Sequence, residues 1–174
     1  IILTGGSINF VGAAALKAAA GASNDTAQAG TPTPPTNGSV QLTAGAGGIL
    51  QSGALTVDTP QFTFNSAGNV TLVNAGNSFS GIAGTVTGGN LALADFTNLD
   101  TGTLSASGHI NVSVNTANGV LTLGGIVTAG GNVVYVADDL AVNNDTSSGA
   151  GPSNFTQYRP FTSNKVFDLD GTGT

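Results

Sequence analysis

Apolar and polar residues alternate along this chain in short runs, and the runs keep restarting with the same opening. A Gly followed by Asn or His leads into an apolar residue, a variable one and a second apolar residue. This gives Val70 and Leu72 after Asn69, Leu91 and Leu93 after Asn90, Ile110 and Val112 after His109, and Val133 and Tyr135 after Asn132. Period-two alternation places each apolar pair on one side of a strand and Thr71, Ala92, Asn111 and Val134 on the other. The openings recur at intervals of 21, 19 and 23 residues. A second strand is expected four or five residues before each opening, with Phe64, Val86, Leu104 and Val127 inward and Thr63, Thr85, Thr103 and Ile126 outward. A third, weaker strand fits between, around Phe79/Ile82, Phe96/Leu99 and Val120/Leu121.

Three short strands in roughly 20 residues is the arithmetic of one coil of a parallel β-solenoid, since each side of a coil takes only a few residues. One coil cannot bury its own apolar side, whereas stacked coils line Val, Leu and Ile into a continuous core. An antiparallel sandwich also spaces short strands regularly, but it does not require one phrase to return at nearly constant intervals. The expected fold is therefore all-β, a parallel β-helix with coils of about 20 residues. Residues 39–146 form its coils. Residues 1–38 hold one or two strands, an Ala-rich helix over 11–22 and a Pro-rich loop over 23–38. Residues 147–174 form an irregular tail or cap.

Composition agrees with that pattern. Only 7% of residues are charged, against roughly 25% in ordinary domains. All nine acids are Asp, and the bases are Lys17, Arg159 and Lys165. Glu, Lys and Arg favour helices, so their scarcity beside abundant Val and Thr points to strands. A net charge of -6 argues against nucleic acid as a partner, which needs clustered bases. No run of about 18 apolar residues is present to span a membrane as a helix. Without Cys there is neither a disulfide nor a thiolate metal site. A chain that opens Ile1-Ile2-Leu3-Thr4 and holds no Met reads as a processed or excised piece, with any targeting signal upstream.

The phrases G68-N-V-T-L-V-N-A-G-N-S-F-S-G81 and G88-G-N-L-A-L-A-D95 resemble the filamentous haemagglutinin-type exoproteins. These are large bacterial surface adhesins of two-partner secretion and the related autotransporter passengers. The resemblance covers roughly residues 39–144 and rests on repeat style. It implies a right-handed β-helix, an extracellular or cell-surface location and adhesive or filament-forming roles. The family's N-P-N-G secretion signature and a β-barrel translocator are missing from this chain, so the resemblance implies an internal segment. Residues 11–38 depart from the pattern.

Candidate chemistry is sparse. Asn69, Asn90 and Asn132 are expected to stack as a structural amide ladder along the axis. His109 takes the same place in its coil and reads as a turn residue, since no Cys or second His accompanies it as a metal ligand. Asp138 and Asp139 are adjacent, so on a strand they point to opposite faces. A glycosidase needs two carboxyl groups about 5–9.5 Å apart, and Asp95, Asp100 and Asp138 would meet only through stacking. Residues 18–158 hold no Lys or Arg for lyase-type charge neutralisation. Asp168 and Asp170 begin a pattern similar to a calcium loop, but the chain ends before enough ligands accumulate, and a polar tail is the simpler reading. Six N-x-S/T sequons occur, at Asn24, Asn37, Asn69, Asn111, Asn144 and Asn154. An ice-binding face would need flat, regular T-x-T ranks, and repeat lengths that vary by up to four residues do not supply them.

No residue is therefore assigned a catalytic, cofactor-binding or metal-binding role, and no cofactor is expected. The leading expectation is a non-catalytic extracellular segment of a bacterial surface exoprotein, serving as a rigid stalk or a cell-surface binding module. Its partners would be a surface carbohydrate or protein. The alternative is a self-assembling subunit of an extracellular filament or surface layer, associating end to end or laterally. A carbohydrate-active β-helix enzyme is the third.

Overall fold

The computed structural model describes residues 1–16, 39–59 and 62–165. Over these residues the chain winds into an all-β parallel β-solenoid of about 5 turns, with coils of about 22 residues. The coils are longer than the expected 20 because the corners between strands vary in length. Successive corner contacts link residues 21, 19, 23 and 23 positions apart.

The strands stack in rows. One row contains the first half of Val40–Gln51, then Phe62–Ser66, Ile82–Val86, the second half of Leu99–Ala106, Val127–Ala129 and Thr146–Ser147. A second contains the latter half of Val40–Gln51, then Val70–Leu72, Leu91–Asp95, Ile110–Val114, Val133–Val136 and Thr156–Arg159. Shorter ladders make the remaining side: Ala14–Leu16 with Leu55–Val57 and Ser78–Phe79, and further along Leu99–Thr101 with Val120–Leu123 and Asp139–Val142. Val40–Gln51 passes from the first row to the second through Gly48, whose φ is 74°. A Cβ there would lie 2.1 Å from the carbonyl oxygen of Asn69 in the next coil, so only Gly permits both the turn and the stacking.

The interior consists of columns of like residues. The residue following each corner Asn or His faces inward. The column Ile49, Val70, Leu91, Ile110 and Val133 is fully buried, and so is the column Leu72, Leu93, Val112 and Tyr135. Burying each such side chain contributes roughly 1.5–3 kcal/mol. The Phe62 and Phe79 rings meet at 5.6 Å, and the Tyr135 and Tyr158 rings stack at 5.3 Å. As expected, Thr63, Thr85, Thr103 and Ile126 are exposed.

Two expectations need correction. The segment over residues 11–22 does not open as a helix: Ala14–Leu16 is a strand paired with Leu55–Val57. Alanine's helix propensity is outweighed because so short a helix is marginal in water, while a parallel partner satisfies these backbone groups outright. Residues 17–22, like the Pro-rich loop, lie outside the described residues. Val86 faces inward as expected, though its neighbours in the stack are not Phe64, Leu104 and Val127. Gly84 holds that place, and Val86 aligns instead with Ser66 and Ala106. The Phe64 ring fills the space over Gly84, where an added Cβ would lie 2.5 Å from Cδ2. Second, Phe96 does not begin a strand. It stands exposed at a corner, and the strand starts at Leu99.

Stacking also reaches beyond residues 39–146. Ile2–Phe10 pairs in parallel with Val40–Gln51, matching Leu3 to Leu42 and Ile8 to Ile49. At the other end Thr156–Arg159 pairs with Val133–Val136.

Candidate functional site: corner ladders and an axial groove

The repeated Asn and His do form a ladder, but side chain to main chain rather than amide to amide. Asn90 N–H donates to Asn69 Oδ1, His109 N–H to Asn90 Oδ1, and Asn132 N–H to His109 Nδ1, each at 2.8 Å. Phe155 N–H donates to Asn132 Oδ1 at 3.3 Å. Each side chain thus satisfies the corner N–H of the following coil, which the strands leave without a ladder partner. His109 belongs because its Nδ1 is an acceptor in the same position as an Asn Oδ1.

A second corner series was not legible in the sequence, and it runs the opposite way. Asn77 is fully buried, and its Oδ1 accepts from Leu55 N–H in the preceding coil at 2.8 Å. Its Nδ2 donates to Gln51 Oε1 and to the carbonyls of Leu72 and Ala94. One coil on, Asp95 accepts from Phe79 N–H at 2.6 Å and from both the N–H and the hydroxyl of Thr97. Burial pushes the Asp95 carboxyl up, outweighing the pull of the Thr97 and Phe79 donors. Asp138 accepts from Asn118 N–H in the preceding coil and from the hydroxyl and N–H of Thr162. The Thr162 hydroxyl holds the Asp138 carboxyl below its ordinary value against the opposing effect of burial. The available signal was in L91-A-L-A-D95, where a polar residue replaces an apolar one at the end of an alternating run.

Asp138 and Asp139 part company as expected, one buried and the other exposed. Asp100 lies apart from both corner carboxylates, in an open groove of about 620 Å³ lined by Gln41, Thr63, Ser80, Ile82 and Thr101 among others. Among the described residues no donor reaches the Asp100 carboxylate, and none gather as three or more His, Cys, Asp or Glu around a metal position.

Of the sequons, Asn111 stands exposed on a strand. Asn69 holds the first ladder rung, while the Asn144 and Asn154 amides donate to the carbonyls of Gly124 and Gly130. Asn24, Asn37, Asp168 and Asp170 lie outside the described residues, and with them the calcium-like pattern. Thr85 has hydroxyl or amide neighbours above and below in Asn65 and Ser105, and Thr128 and Ser147 continue that outward file. No helix among the described residues is long and apolar enough to cross a membrane.

Residues 22–86 match a family described as repeats of unknown function (DUF5649). Neither a curated protein nor a solved structure matches the chain. The repeat match and the stacked coils agree on one description: this is a repeat-containing protein that forms a β-solenoid.

Proposed function

We propose that the protein is a non-catalytic structural and adhesive segment of a bacterial surface exoprotein, acting outside the cell as a rigid stalk or a cell-surface binding module. The observation that carries this reading is the division between interior and exterior. Inside, the apolar columns and the buried Asn77, Asp95 and Asp138 hold the coils in register. Outside, the first row presents Thr43, Asn65, Thr85, Ser105, Thr128 and Ser147 as an uncharged file, one residue per coil. Such a surface suits hydrogen-bonded contact with neutral partners. Two of the three carboxylates weighed for catalysis, Asp95 and Asp138, are held by main-chain N–H groups at the corners, which supports the non-catalytic reading.

The test is surface labelling. An antibody against the folded protein should label intact cells of the source organism, and beads coated with the protein should be retained on cell layers. Labelling confined to permeabilised cells, with no bead retention, overturns the reading.

The second reading, a self-assembling filament or layer subunit, is favoured by one feature. Among the described residues Ile2–Phe10 has a strand partner on one side only. It carries neither the charge nor the Pro that blunts an edge strand. Sedimentation of the purified protein decides: fibres or concentration-dependent oligomers support this second reading, and a monomer at all concentrations refutes it.

A further inference from the structure

The groove beside Asp100 has features that the corners do not explain. Ile2, Gln41, Thr63 and Ala83 are successive partners in register, and Gly102 lies over Ala83 at the next level. At the usual strand spacing these levels extend the groove roughly 20 Å along the solenoid axis. A one-residue bulge sits within it: Thr101 pairs with Ile82, but Leu104 pairs with Gly84. Bulges re-aim side chains next to binding sites. Here Gly124 leaves space for the Asp100 carboxylate, since a Cβ at Gly124 would lie 3.0 Å from Asp100 Oδ1.

We propose that this groove binds an extended neutral oligosaccharide lying along the axis, with Asp100 accepting hydrogen bonds from sugar hydroxyls. The proposal deepens the adhesive reading above and rests on it. Three observations select the ligand class. Apart from Ile2–Phe10 at its end, the strands beneath the groove are paired with neighbours in both directions, so a peptide lying along the axis finds no free main-chain edge over most of its length. What the groove offers are side-chain groups, among them Gln41, Thr63, Ser80 and Asp100, beside apolar surface from Ile2 and Ala83. Hydroxyls and the C–H faces of a sugar ring match that mixture. An uncommitted carboxylate on a chain of net charge -6 disfavours an anionic polymer. Side chains recurring at the coil spacing also suit a linear ligand built from repeated units.

The experiment titrates the purified protein with neutral hexasaccharides of glucose, mannose, galactose and N-acetylglucosamine, with a hexamer of galacturonic acid and an unrelated hexapeptide as comparators, followed by amide chemical shifts. At least one neutral hexasaccharide is expected to shift Gln41, Thr63 and Asp100. Asp100→Ala should weaken it roughly tenfold or more, as for loss of a hydrogen bond to a charged group, and Asp145→Ala, outside the groove, should leave it unchanged. Unchanged dispersion in both variants establishes that they remain folded. Binding by none of the neutral sugars, binding only of the acidic hexamer or the peptide, or equal affinity in Asp100→Ala overturns the proposal. Should intact-cell labelling and bead retention succeed while every neutral sugar fails, the groove assignment falls and the adhesive reading stands.

Discussion

At the scale of single residues, the solenoid depends on what each side chain does for the coil above or below it. Gly84 leaves room for the Phe64 ring, so Gly84→Val should destabilise by about 1–3 kcal/mol through overpacking. Phe64→Leu should recover part of that loss in a double-mutant cycle read by thermal unfolding. His109 acts through a single acceptor nitrogen. His109→Asn should therefore be close to neutral, whereas His109→Ala leaves the Asn132 N–H unpaired and should cost about 1 kcal/mol. Spacing alone made the His109 place legible, because the corner recurs once per coil. The Gly84 place was not legible. A shift of two residues preserves which side chains face inward, so alternation cannot distinguish Gly84 from Val86 as the partner of Phe64.

At the scale of corners and strands, the two buried carboxylates respond to pH in opposite directions. The folded-state pKa of Asp138 is lowered. Its contribution is present above the unfolded carboxylate pKa and is lost as pH falls through the folded value. The stability difference between the wild type and Asp138→Asn should therefore shrink on acidification. The folded-state pKa of Asp95 is raised, so its ionised form opposes folding at neutral pH. That penalty is relieved as pH falls through the folded value toward the unfolded one. Urea midpoints from neutral to mildly acidic pH should show a rising component that Asp95→Asn abolishes. Within the strands, Leu93 is almost fully buried, and Leu93→Ala should cost about 2–5 kcal/mol. That inward positions are core was readable from period two. The tasks of Asn77, Asp95 and Asp138 were not, because their partners Leu55, Phe79 and Asn118 lie 22, 16 and 20 residues away, and only the stacking brings them together.

At the scale of the whole molecule, the parallel solenoid was legible because a phrase returning at near-constant intervals has few other solutions. Coil length was less so, since corners lengthen without disturbing the alternation. The groove was invisible in the sequence. Asp100 looked like one more dispersed acid, and only the bulge at Leu99–Ala106 and the smallness of Gly124 set it in an open channel. The direction of the stacking has a mechanical consequence. Main-chain hydrogen bonds between coils point along the axis, so a pull applied end to end loads them directly, while covalent bonds run mostly crosswise. Under tension the molecule should yield from an end, one coil at a time, instead of rupturing as a unit. Each coil of about 22 residues would release roughly 70 Å of chain at about 3.3–3.6 Å per residue. Single-molecule pulling should record a staircase of such steps. A tether built this way lengthens under load while its remaining coils stay folded.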